Sequence, residues 1–111
     1  MKKVKFLKRI RATVINEHGF ETCEGYLDIV INPKNLMETI KIVYSKNEYG
    51  WYSTHFDSGL QIISLSSTKK ECIEQTLKRI EAVFVLIHKP EIQKMIEEAN
   101  FYRNKIITDG F

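Results

Sequence analysis

At Thr68 the apolar pattern of the chain changes period, from two before it to about three and a half after it, and that switch restricts the fold more than any other feature. Before it, Lys3–Ile15 alternates Val4, Phe6, Ile10, Ala12 and Val14 against Lys3, Lys5, Arg9, Arg11 and Thr13, which is the spacing of a strand. Asn16-Glu17-His18-Gly19 is rich in turn formers, and the aromatic and β-branched run Phe20–Ile31 pairs back as a hairpin until Asn32-Pro33-Lys34-Asn35 ends it. Thr39–Lys46 and Trp51–Phe56, joined by Asn47-Glu48-Tyr49-Gly50, form a second hairpin. Asp57-Ser58-Gly59 turns the chain into a short fifth strand, Leu60–Ser66.

After the switch, Thr68 and Glu71 have the spacing of a capping box, in which hydroxyl and carboxylate satisfy free amides at a helix start. Ile73, Leu77, Ile80, Phe84 and Ile87 then recur at spacings of four, three, four and three, one apolar stripe over a Thr68–His88 helix. Pro90 stops or kinks that helix and suits the first turn of the next, Glu91–Asn100, with Ile92, Met95, Ile96 and Ala99 apolar. This second helix packs at one end of the sheet or against a second copy, and Phe101–Phe111 is ambiguous. A sheet with one apolar face and a helix with one apolar stripe cover each other. The expected fold is α+β: an antiparallel sheet of four to five strands, in the order β-β-β-β-β-α-α, with a long C-terminal helix packed on one face.

With 111 residues and 43% apolar content, residues 1–111 form a single domain with one core. No run reaches the roughly 18 apolar residues of a membrane span, and the basic start lacks the apolar stretch of a secretory signal. A cytoplasmic location follows as the expectation, with Cys23 and Cys72 reduced and neither at metal-ligand spacing.

Catalysis finds no footing in the residues. His55 and Asp57, two apart at a strand end, could share a face, but no motif supplies a nucleophile or a group to stabilise developing charge. Cys72 lies near a helix start, where thiols are activated, yet it adjoins the core position Ile73 and reads as a half-buried hydrophobe. There is no phosphate loop, carboxylate pair, serine elbow or Cys-x-x-Cys. The chain is therefore read as a non-enzyme needing no cofactor and no metal.

Two surfaces remain as partner-binding candidates. Lys2, Lys3, Lys5, Lys8, Arg9 and Arg11 crowd the first eleven residues, while the rest carry eleven basic and fourteen acidic side chains. Lys3, Lys5, Arg9 and Arg11 could track a nucleic-acid backbone or dock on an acidic protein. Alternatively, Glu24 and Asp28 of the next strand oppose Arg9 and Arg11 and compensate a solvated face. Tyr44, Tyr49, Trp51 and Tyr52 gather around the second hairpin turn, residue types favoured at interface hot spots, although alternation sends Trp51 and Tyr52 to opposite faces.

Within Trp51–Arg79, the segments Trp51-Tyr52-Ser53-Thr54, Asp57-Ser58-Gly59-Leu60-Gln61-Ile62 and Thr68-Lys69-Lys70-Glu71-Cys72-Ile73 carry a resemblance. It resembles a strand, turn, strand, helix pattern of small uncharacterised phage and mobile-element proteins of Gram-positive bacteria. Residues 51–81 are more distantly similar to the HicB-like antitoxin core, though without its proline-containing turn or an appended DNA-binding unit. The resemblance implies a stoichiometric protein-binding regulator or inhibitor of a host protein, including defence inhibitors of the anti-CRISPR type. Its alternatives are a nucleic-acid-binding accessory protein and a HicB-like antitoxin.

Overall fold

In a computed structural model, residues 8–16 and 19–110 are described, with side chains over 23–104. The fold is α+β, as the change of period requires. Strands β1 (Lys8–Asn16), β2 (Gly19–Asn32), β3 (Asn35–Lys46), β4 (Trp51–His55) and β5 (Gln61–Ser66) precede helices α1 (Lys69–Lys78), α2 (Ile80–Leu86) and α3 (Pro90–Gly110). The strands form one antiparallel meander in the order β1-β2-β3-β4-β5. Lys3 and Lys5 lie outside the described residues.

Alternation sorts β3 and β4 onto two faces, and both are buried. Ile40, Ile42, Tyr44, Ser53 and His55 lie under the helices, while Val43, Ser45, Tyr52 and Thr54 are buried on the other face. β2 coils closely over β3 at Gly25, where a Cβ would overlap the Ser45 and Val43 side chains and the Tyr44 carbonyl, so only glycine fits. Ile63, Cys72, Ile73, Ile80, Val83, Phe84, Ile87 and Ile92 complete the main core.

Of the expected capping box the Thr68 half is present, its Oγ1 accepting the Glu71 amide at 3.1 Å, while Glu71 is engaged within the helix. The Glu71 carboxylate takes the Gln75 side-chain amide at 3.3 Å. The expected single Thr68–His88 helix is two helices, because the chain leaves helical geometry at Arg79 (φ −99°, ψ 3°), whose amide closes a tight turn on Thr76 O at 3.0 Å. The stripe differs too: Leu77 is 44% exposed, and the fully buried Thr76 faces the sheet in its place. Cys72 is fully buried rather than half-buried.

Pro90 opens α3, with Lys89 O accepting the amides of Ile92 and Gln93 at 3.0 Å. Instead of ending at Asn100, α3 runs to Gly110. Arg103 fastens it to the sheet: Nη1 donates to Phe56 O at 2.9 Å, Nη2 to Asp57 O at 3.0 Å, and the guanidinium lies 5.0 Å from the Phe56 ring centre. Among the described residues, no helix is long and apolar enough to cross a membrane.

Candidate binding surfaces

The β2–β3 hairpin carries a local irregularity built by its asparagines. Pairing is regular to Ile31 opposite Thr39 and resumes as Asn32 opposite Asn35, so Leu36, Met37 and Glu38 have no counterpart on β2. Bulges of this kind re-aim side chains. Asn32 Oδ1 accepts the Lys34 amide at 2.9 Å and Asn35 Oδ1 the Met37 amide at 3.2 Å, shaping the end of the hairpin. Glu38 turns toward the end of α2, with Oε1 accepting from Asn32 Nδ2 at 2.8 Å and Oε2 lying 2.6 Å from Nε2 of His88 in the turn that follows that helix. The Asn32 hydrogen bond and His88 hold the Glu38 carboxyl below its ordinary pKa. Lys34 and Glu81 add an exposed contact of 3.8 Å between the same elements.

Above this anchored base, Leu36 is 75% exposed and Met37 93% exposed. Ile29 and Ile31, alternate residues of β2, are exposed as well, extending the apolar display along the hairpin. The sequence pattern hides this surface, since Asn32–Asn35 marks the end of one expected strand and Leu36 and Met37 fall between elements. The signal was present as two large apolar residues directly after a turn.

The predicted basic and aromatic residues divide. Arg9 and Arg11 lie in β1 at register positions opposite Tyr26 and Glu24, so the expected Arg11–Glu24 juxtaposition is met in the backbone, whereas Asp28, expected to share in that compensation, lies opposite neither arginine. Trp51 is half-buried, its ring centre 6.3 Å from that of Tyr26, and Lys69 Nζ sits 4.4 Å from Tyr26 and 5.7 Å from Trp51. Tyr49 stands exposed in a turn whose amides at 49 and 50 are held by Asn47 Oδ1. Tyr52 is buried, so the aromatic group does not act as one surface.

His55 and Cys72 have structural surroundings. His55 Nδ1 is 2.7 Å from Ser58 Oγ, which also accepts the Leu60 amide at 3.1 Å, and both residues are buried. The pair braces the turn that Gly59 makes at φ 78°. Burial lowers the His55 pKa, opposed by Asp57 and reinforced by Arg103, so the ring is held neutral. Burial raises the Cys72 pKa, against weaker hydrogen bonding from Ser66, Thr76 and Ser53, which is the reverse of an activated thiol. Among the described residues, no three His, Cys, Asp or Glu side chains gather as a metal site.

Compared with models of known protein families, with curated proteins and with solved structures, the chain finds no match.

Proposed function

We propose that the protein is a stoichiometric protein-binding regulator or inhibitor, of the kind phages and mobile elements direct at a host protein, and that it engages its partner through the end of the β2–β3 hairpin. One observation carries the reading: Leu36 and Met37 project from a bulge whose base is tied to the turn after α2 through Asn32, Glu38 and His88. Apolar anchors held in place before binding lose less freedom when a partner closes over them. Large apolar side chains are expensive to leave in water unless a partner covers them. The resemblance of Trp51–Arg79 to small phage proteins supports a host protein as the target. Quantitative co-purification from host lysate tests it. The native chain recovers one protein in near-equimolar amount, and Leu36→Asp with Met37→Asp lowers that recovery about tenfold or more without unfolding the chain. Recovery of no near-equimolar partner sinks the proposal.

A second reading, nucleic-acid binding, is favoured by the Tyr26–Trp51–Lys69 group and by Arg9 and Arg11, whose register positions fall beside it. It requires a salt-sensitive mobility shift with a single-stranded oligonucleotide that Arg9→Glu with Arg11→Glu abolishes. No shift at low salt removes it.

A further inference from the structure

The two borders of the sheet are built differently. β1 brings Lys8, Arg9 and Arg11 to one edge, the charged composition that opposes pairing with a foreign strand. β5, at the other edge, reads Gln-Ile-Ile-Ser-Leu-Ser, with no charge and no proline to oppose it. The Ile63 amide donates to Ser53 Oγ of β4 at 3.1 Å, and the β4–β5 register shifts on both sides of Ser53, so β5 bends along its edge. The Ile62 carbonyl accepts Arg79 Nη1 at 3.3 Å from the break between α1 and α2.

We infer that the outer edge of β5 is a strand-addition site for an extended, acidic segment of a partner protein, a surface separate from the hairpin and independent of the reading above. Main-chain hydrogen bonds to an exposed edge supply binding, and flanking side chains select the sequence. The groove between β5 and α1 is lined by Lys78, Arg79 and Gln75 with no carboxylate, and Leu65 is exposed along it. That charge selects acidic side chains. It also opposes a second copy of the chain, because β5 paired with β5 would set Lys78 and Arg79 of both copies along one seam. Arg79 is the device that makes the site reversible. Its exposed guanidinium occupies the Ile62 carbonyl in the free protein; an incoming amide takes over that carbonyl, and the released guanidinium meets a carboxylate of the added strand.

The test is a titration of the isotope-labelled protein at low salt with an acetylated, amidated hexapeptide alternating Glu and Val, against its Lys and Val counterpart. The acidic peptide is expected to shift amides of β5 between Ile62 and Leu65, slow their hydrogen exchange and bind about tenfold tighter than the basic one, the effect of two exposed charge pairs. Lys78→Glu with Arg79→Glu is expected to abolish or reverse that preference. The acidic peptide N-methylated at alternate amides is expected to lose binding, a control that leaves the protein unaltered. Leu36→Asp with Met37→Asp is expected to leave the titration unchanged, which separates this site from the hairpin. Equal binding of both peptides, shifts confined to other strands, retained binding of the N-methylated peptide, or self-association through β5 in sedimentation would each overturn the inference.

Discussion

Thr76 Oγ1 lies 2.7 Å from Ser53 Oγ in the sealed interior, and that contact sets the register of α1 on β4. The direction of its proton follows from the neighbours. Thr76 Oγ1 is also 2.7 Å from Cys72 O, which can only accept, so the Thr76 proton goes there and the Ser53 hydroxyl donates to Thr76. Ser53 in turn accepts the Ile63 amide at 3.1 Å. A chain of hydrogen bonds thus crosses from β5 through β4 into α1, each link polarising the next.

Replacing Thr76 with Val breaks that chain while keeping its volume. Urea unfolding should show a loss of about 1–3 kcal/mol, the cost of stranding buried polar partners. Leu77→Ala, at the half-exposed neighbour, should cost less than about 1 kcal/mol. Were Leu77 the core residue its spacing suggests, its cost would be about 2–5 kcal/mol and the larger of the two.

Tyr44→Phe should be neutral or stabilising. The Tyr44 hydroxyl is buried with no hydrogen bond of sound geometry, and Thr76 only weakly offsets the burial and nearby Asp28 charge that push its pKa well up, so removing it relieves a poorly compensated desolvation. A loss above about 1 kcal/mol in the same unfolding assay would mean the hydroxyl is paired in solution.

Acidification should weaken the fold through His55. Its folded pKa lies below the unfolded value of about 6.5, so its contribution is intact above that value and falls as the unfolded chain takes up a proton that the folded chain refuses. Between pH 7.5 and 5.5 the native chain should lose up to about 1 kcal/mol more than His55→Gln. Parallel pH profiles for the two proteins would refute a buried neutral ring.

Arg103→Met should loosen α3 from the β4–β5 turn by removing two hydrogen bonds to main-chain carbonyls. Hydrogen exchange at Gly59 and Leu60 and in the middle of α3 should quicken about tenfold or more, with the β2–β3 pairing unaffected. Unchanged exchange at these sites would show that apolar packing alone holds the helix.

The strands were legible because alternation is a local signal, and Trp51–His55 and Gln61–Ser66 match their expected spans within a residue. The break at Arg79 was not, since no Gly or Pro announces it; its guanidinium is held by a carbonyl seventeen residues away in sequence. Thr76 was passed over for Leu77 because polarity alone assigns threonine to the surface, and only Ser53 on the facing strand reverses that assignment. The hairpin display of Leu36 and Met37 depends on a register shift and on Glu38 meeting His88, a pairing across fifty residues that no periodicity encodes. Of the proposed contact residues, Tyr49 is exposed and Trp51 half-exposed, whereas Tyr52 is buried on the opposite face; alternation separates Trp51 from Tyr52 but does not tell which of the two is covered.

Protein binding through the hairpin is tested most directly by placing a photo-crosslinking side chain at position 37 in host cells, with one at position 70 on α1 as control. The account predicts a single discrete adduct with one host protein at position 37 and none at position 70. The absence of a discrete adduct at 37, an identical adduct at both positions, or an adduct only with a second copy of the chain would contradict it.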